Sequence, residues 1–190
     1  MNIVQLLTDG VVAHALQAAL SVLLLVGASA KLRDLGLFRA HIENYQLLPE
    51  VLVAPAAAVL AAWELACGLA LLLAPDLSIT RAAAVALLLV VTAAVAINLL
   101  RGRTDIDCGC AGLSGISGQS GEQRLSWALV LRNALLLLAL FAATAGHAGR
   151  TLVWLDYLSV AGTTLALLGL YVAAGQLLVN HPRLQAIKRS

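Results

Sequence analysis

Charged residues are scarce in this chain of 190 residues. Asp, Glu, Lys and Arg make up 12% of it, whereas 61% of the residues are hydrophobic and the mean hydropathy is +0.92. Soluble domains carry about a quarter charged residues, so this composition excludes an ordinary soluble protein and predicts an integral membrane protein. The formal net charge is only +2, and the basic residues are scattered. A nucleic-acid partner is therefore not expected.

Cysteine is also scarce, with three residues in the whole chain. That number is too small for a secreted fold held together by disulfides. A secretory signal peptide is not expected either. The first basic residue, Lys31, follows the first apolar stretch, whereas a signal peptide has its basic residues before that stretch.

Long apolar stretches dominate what remains. About 20 apolar residues are needed to cross the hydrocarbon core as a helix, and five stretches reach that length, at residues 11–30, 51–74, 79–100, 125–145 and 152–179. Helices satisfy their own backbone hydrogen bonds in lipid. We therefore expect an all-α, polytopic membrane helical bundle of about five transmembrane helices. Residues 1–180 form a single transmembrane domain, and residues 181–190 form a short basic tail.

The connection over residues 31–50 has a helical pattern of its own. Leu35, Phe38, Ile42 and Tyr45 recur at helical spacing, with polar side chains between them. This pattern predicts a short amphipathic helix that lies in the membrane interface.

Basic residues predict the orientation. With five spans, nine of the twelve lie on the side of the two long connections: Lys31, Arg33, Arg39, Arg101, Arg103, Arg124, Arg183, Lys188 and Arg189. Two, Arg81 and Arg150, lie on the other side. Because cytoplasmic loops are enriched in Lys and Arg, we expect a multi-pass protein of the bacterial cytoplasmic (inner) membrane, with its N-terminus outside and both long connections inside.

The second long connection carries the strongest chemical signal, Asp107-Cys108-Gly109-Cys110. Two thiols this close can form a small disulfide ring, for which Gly109 permits the backbone angles. The thiolate is the reactive form; Arg101 and Arg103 are expected to favour it, whereas Asp105 and Asp107 are expected to oppose it. Three alternatives remain open for the pair: thiol–disulfide exchange, soft-metal binding, and two structural thiols. We expect the amphipathic segment to pack over the pair, with Tyr45 in contact.

Several motifs together resemble one known family. They are Phe38-x-x-x-Ile42-x-x-Tyr45-x-Leu47-Leu48-Pro49 after the first span, Glu64 within the second, and Ile97-Asn98-Leu99-x-Arg101-Gly102 leading to Asp107-Cys108-Gly109-Cys110-x-Gly112. Over residues 11–145 the chain resembles the methylamine-utilisation protein MauE family, which belongs with the DoxX-like membrane proteins.

The resemblance implies a role in maturing an exported client, the methylamine dehydrogenase small subunit, which carries several disulfides and a tryptophan tryptophylquinone cofactor. It also implies a thioredoxin-like partner similar to MauD. We therefore expect a membrane thiol–disulfide relay with Cys108 and Cys110 as the exchanging thiols. Whether the relay is an enzyme is left open. An exported client places the thiols outside, whereas the basic residues place them inside; either the relay crosses the membrane or the topology differs.

Two other classes of function remain as alternatives. The first is soft-metal binding or transport through Cys108 and Cys110. The second is a quinone-linked disulfide oxidoreductase, which needs a membrane pocket beside the cysteines, lined by residues such as Tyr45 and Trp127. No cofactor is expected beyond the redox-active disulfide, unless a quinone is used.

Polar residues inside the spans complete the candidate site. Glu64 lies near the middle of the second span, where a charge is costly and is usually paired or functional. Arg132 is the only arginine well inside a span, and we expect the two to face each other. Cys67 lies one turn past Glu64 and is expected to be a packing residue rather than a third redox thiol. Asn98 is expected to hydrogen-bond across helices.

Overall fold

A computed structural model of the chain describes residues 10–74, 77–103, 126–145 and 158–173. Within these ranges it contains six helices. They are α1 (Gly10–Arg33), α2 (Leu35–Tyr45), α3 (Glu50–Leu73), α4 (Ser78–Leu100), α5 (Trp127–Ala145) and α6 (Leu158–Ala173). The chain is an all-helical bundle, as the sequence predicts.

Among the described residues, three helices are long and apolar enough to cross a membrane: Val11–Arg33, Glu50–Leu73 and Ser78–Leu100. Each has 23 or 24 residues, which is about 35 Å at 1.5 Å per residue and exceeds the hydrocarbon core of about 30 Å. Their bounds agree closely with the first three predicted spans. Helices α5 and α6 are apolar but shorter in the described residues, so a total of five spans stays a prediction.

The predicted amphipathic helix is present as α2. A single residue, Asp34, separates it from α1, and the Asp34 carboxylate accepts a hydrogen bond from the backbone N–H of Leu37 at 2.8 Å. This is an N-cap, which satisfies a free donor at the start of the helix. At the other end Gln46 adopts a left-handed conformation, with φ 48° and ψ 40°, and the chain turns into α3 through Pro49.

Helices α1 and α3 approach each other closely through small residues. Ala28 and Ala61 are fully buried, and the hydroxyl of Ser21 donates to the backbone carbonyl of Gly68 at 2.7 Å. A Cβ atom added at Gly68 would lie 2.9 Å from the side chain of Leu25. Small residues and interhelical hydrogen bonds are the usual basis of helix packing in membranes.

Two apolar clusters hold the remaining helices to this pair. The larger consists of Leu20, Leu24, Cys67, Leu71, Ala84, Leu87 and Leu140, and so joins α1, α3, α4 and α5. The smaller consists of Val95, Leu99 and Leu129, with Tyr45 of α2 packed against it. The hydroxyl of Thr164 in α6 donates to the carbonyl of Ala15 in α1 at 3.4 Å.

Candidate functional site

The predicted cysteine pair and its neighbours Asp107 and Gly109 lie outside the described residues. The structure does describe the chain that leads to them. Helix α4 ends in a Schellman motif, in which the N–H of Gly102 donates to the carbonyl of Leu99 and the N–H of Arg103 donates to that of Asn98, both at 3.0 Å. Gly102 has φ 74°, a value that glycine adopts without a steric cost. The direction in which the chain leaves α4 is therefore defined.

Two arginines fasten this exit to the end of α2. Arg101 donates to the carbonyl of Gln46 at 3.5 Å, and Arg103 donates to the carbonyl of Asn44 at 3.4 Å and to the side-chain oxygen of Gln46. We call residues 101–103 the stem. The stem and the amphipathic helix are thus in direct contact. The expected contact of Tyr45 with the cysteine pair stays a prediction.

Glu64 forms an ion pair with Lys31 of α1. The two side chains are 12% and 15% exposed, respectively, so the pair is largely shielded. The ammonium group of Lys31 also lies 5.2 Å from the centre of the Phe38 ring, within the range of a cation–π interaction. Lys31 therefore contacts a carboxylate on α3 and an aromatic face on α2.

Gly27 makes room for this arrangement. A Cβ atom at this position would lie 2.6 Å from a carboxylate oxygen of Glu64, so the carboxylate rests against the backbone of α1. Lys31 follows Gly27 by one helical turn and lies on the same face. The spacing of these two residues brings the ammonium group next to the carboxylate.

Glu64 and Arg132 do not form the expected ion pair directly, and a contact between them through water stays a prediction. Arg132 instead lies over the ring of Tyr171 in α6, with its guanidinium carbon 5.3 Å from the ring centre. The physical reason is that the tight contact between α1 and α3 places Lys31 nearest the carboxylate. Both Glu64 and Arg132 nevertheless line one common cavity.

This cavity has a volume of about 560 Å³ and is lined by side chains from all six helices. Its polar or charged lining residues are Lys31, Asp34, His41, Tyr45, Glu64, Arg132, Asn133 and Tyr171. Leucine, valine and alanine side chains and the ring of Phe38 supply most of the remaining wall. We call this space the central cavity.

Three other predicted residues are placed as follows. Cys67 is 2% exposed and belongs to the larger apolar cluster, which is the environment of a packing residue. Asn98 was expected to bond across helices, but its amide donates to the carbonyl of Ala94 in its own helix at 3.0 Å. Trp127 is 59% exposed and is not among the described residues that line the central cavity, although Tyr45 is.

The residues that sequence reasoning missed are Gly27, Lys31, His41 and Tyr171. Lys31 follows the first apolar stretch, so the sequence alone predicts only a loop charge that helps to set the orientation of the chain in the membrane. Its signal was present in the sequence: a glycine one turn before a lysine at the end of a span, opposite a lone glutamate in the next span. His41 and Tyr171 carry no comparable signal, because their role as cavity residues depends on how helices distant in sequence pack.

The apolar helices, the amphipathic helix α2 and the shielded ion pair define the class of the chain, an integral helical membrane protein. A family model, "Methylamine utilisation protein MauE", matches residues 9–146. The chain therefore belongs to the MauE family, as the sequence motifs indicated.

Individual relatives point to the same family. A methylamine utilization protein MauE from Paracoccus denitrificans is 42% identical over 139 residues, which cover 73% of this chain and 72% of the relative. One from Paracoccus versutus is 37% identical over 190 residues, covering 97% and 98% of the two chains. One from Methylophilus methylotrophus is 46% identical over 99 residues, or 50% and 52% of the two chains. No solved structure matches this chain.

Proposed function

We propose that the protein is a membrane thiol–disulfide relay that supports maturation of an exported protein through a thioredoxin-like partner. Membership of the MauE family supports the setting of this role, methylamine utilisation, to which the names of the family and of its relatives refer. By resemblance, the client is the small subunit of methylamine dehydrogenase and the partner is similar to MauD.

The observation that carries the proposal is the fastening of the stem to α2. Cys108 and Cys110 follow Arg103 by five and seven residues, and extended chains of those lengths reach about 18 Å and about 25 Å. Arg101 and Arg103 bind the end of α2. These chain lengths therefore limit how far each cysteine can lie from that end of α2. An exchanging pair tethered near the membrane surface is accessible to a partner outside the bilayer.

The exchange proceeds through a mixed disulfide. The thiolate of Cys108 attacks one sulfur of the partner's disulfide, and the other sulfur leaves as a thiolate that takes up a proton. The thiolate of Cys110 then attacks the sulfur of Cys108 and releases the partner's second thiol. Two electrons and two protons pass from the pair to the partner. The reverse sequence oxidises the partner, and the relative reduction potentials set the direction.

Trapping of the mixed disulfide tests the proposal. In a Cys110→Ala variant, Cys108 has no neighbouring thiol to release the partner, so an adduct with a co-expressed thioredoxin-like protein should accumulate and disappear on reduction. The matched control is Cys67→Ala, which removes the buried thiol and should leave exchange intact. Cys108→Ala with Cys110→Ala should give no adduct.

Absence of an adduct from both single variants, Cys108→Ala and Cys110→Ala, would contradict the relay. If the native protein then binds copper(I) tightly through the same two residues, soft-metal binding replaces it. Equal alkylation of the pair after oxidation and after reduction would also contradict the relay, because cycling requires a difference of two free thiols.

A quinone-linked disulfide oxidoreductase is the second candidate function, and the central cavity is the observation that favours it. Such a protein needs a membrane pocket beside the cysteines, lined by residues such as Tyr45 and Trp127. Of these two, Tyr45 lines the central cavity, and Trp127 is not among its described lining residues. In this reaction the dithiol becomes a disulfide while the quinone takes up the two electrons and two protons and becomes a quinol. Quinone-dependent formation of the Cys108–Cys110 disulfide in reconstituted protein would distinguish it from exchange with a partner alone.

A further inference from the structure

The central cavity has the size and position of a small-molecule site. Its volume of about 560 Å³ falls within the roughly 300–1,000 Å³ of such sites. Spans α1, α3 and α4 all contribute to its wall, and leucine, valine and alanine side chains make up much of it. An occupant must therefore be largely apolar.

The charges around the cavity balance. Lys31 and Arg132 are cationic, and Asp34 and Glu64 are anionic. Lys31 and Glu64 also neutralise each other directly. A lipid phosphate or a fatty-acid carboxylate needs a net positive site in an apolar medium, so this balance favours a neutral occupant over an anionic one.

Two of the polar side chains that line the cavity each carry a buried atom whose hydrogen-bonding capacity is unused among the described residues. Nε of Arg132 and Nδ1 of His41 are buried and have no hydrogen-bond partner among the residues that the structure describes, and both side chains line the cavity. A buried donor without a partner costs about 1–3 kcal/mol. Arginine only donates hydrogen bonds, whereas neutral histidine donates from one ring nitrogen and accepts at the other.

This pair of groups matches the two states of a quinone. Nε of Arg132 can donate to a carbonyl oxygen of the oxidised ring. Nδ1 of His41 can donate to a carbonyl oxygen in one tautomer and accept from a hydroxyl of the quinol in the other. Aromatic side chains of Phe38, Tyr45 and Tyr171 line the same space, and aromatic side chains favour contact with a flat ring.

From this geometry we infer that the central cavity binds a lipid-soluble quinone, with Arg132 and His41 as hydrogen-bond partners of its ring oxygens. The inference rests on the second candidate function. It concerns binding only, so it is tested without any thiol reaction.

The experiment measures binding of a short-chain alkyl benzoquinone to the purified full chain in lipid nanodiscs, with empty nanodiscs as the background. Binding should saturate at one quinone per chain. Arg132→Gln and His41→Phe should each weaken it about tenfold, the loss expected for one hydrogen bond at a buried site. Arg132→Lys keeps a donor and should recover part of the affinity. Arg39→Gln, on the exposed surface of α2, should have no effect.

A cavity-filling pair of variants provides the second measurement. Ala94 lines the cavity, so Ala94→Phe should abolish binding, whereas Ala62→Phe, at an exposed position of α3, should leave it unchanged. Size-exclusion profiles establish that each variant is folded. Should Ala94→Phe not fold, the arginine and histidine variants decide the matter.

The inference is overturned if the native chain takes up no more quinone than empty nanodiscs, or if folded cavity variants bind as the native chain does. A phospholipid that copurifies with the chain and is not displaced by quinone overturns it too.

Cys108→Ser with Cys110→Ser should bind quinone normally; loss of binding in that variant would place the quinone at the thiols and contradict the cavity site. If trapping fails but quinone binds, the relay is wrong and the cavity inference stands.

Discussion

Lys31 and Glu64 are charged residues in an apolar bundle, and their positions along α1 and α3 explain how both are tolerated. Glu64 lies in the middle of its helix, where an isolated charge is costly. Lys31 lies in the last turn of α1, so its long side chain can keep part of its length near the interface. The lysine thereby brings a compensating charge to the carboxylate without itself lying at the middle of a span.

Removing one member of this pair should destabilise the protein. Glu64→Gln leaves Lys31 without its counter-charge, and the loss should be below the roughly 3–5 kcal/mol that follows removal of one partner of a fully buried pair, because both side chains keep some exposure. Glu64→Gln with Lys31→Gln should recover much of it. Thermal melting of detergent-solubilised protein measures both.

The matched control is Glu64→Gln with Arg132→Gln. Since Arg132 contacts Tyr171 rather than Glu64, this double variant should melt no higher than Glu64→Gln alone. Recovery with Arg132→Gln but not with Lys31→Gln would contradict the ion pair described here.

Helices α1 and α3 form the best-defined contact between elements, and glycine determines how close they come. Gly68 faces Leu25, and Ser21 bonds to the carbonyl of Gly68. Such contacts follow from the positions of small residues, but a sequence with so many alanines offers many possible small-residue faces. Helix bounds were predictable from hydropathy, and α2 from its own periodicity. The particular helix faces that contact each other were not predictable from the sequence.

Substitution of Gly68 tests that contact. In Gly68→Ala the new Cβ would lie 2.9 Å from Leu25 Cγ and 3.1 Å from its backbone nitrogen, so the two helices must separate. Overpacking of this kind costs about 1–3 kcal/mol, and we expect a lower melting temperature. Gly162→Ala is the control, because nothing lies within 4 Å of its new Cβ. It should be neutral or stabilising by up to about 1 kcal/mol; equal losses from both substitutions would show that packing at Gly68 is not the cause.

At the scale of the whole molecule, all six helices of the described residues contribute to the wall of the central cavity. The all-helical class and the MauE family were predictable because hydropathy and short motifs are local in sequence. The cavity was not, since α1, α2 and α6 contribute residues as far apart as Lys31, His41 and Tyr171. For the same reason the sequence identifies Glu64 as a charged residue inside a span but does not predict that Lys31 is its ion-pair partner. Hydropathy gives the depth of a residue but not the neighbour it faces.

The five-span topology makes a prediction at this scale. With native cysteines replaced, single cysteines at Arg33 and Ser117 should react with an impermeant thiol reagent from one side of the membrane, and one at Arg150 should react from the other. The reason is that three predicted spans separate Arg33 from Arg150, whereas two separate Arg33 from Ser117. Labelling of intact and inverted vesicles measures this. Reaction of Arg33→Cys and Arg150→Cys from the same side would mean that the number of spans is not five.

Helix α2 is supported at both of its ends. Asp34 joins it directly to α1, and Arg101 and Arg103 hold its far end to α4. A helix that is anchored at both ends can move less than one that is anchored at a single end. None of its eleven residues is buried, so these end contacts add to the partial packing of Tyr45 and Phe38 in holding it. The part of the cavity wall that α2 contributes is therefore held in place at both ends, by two different helices.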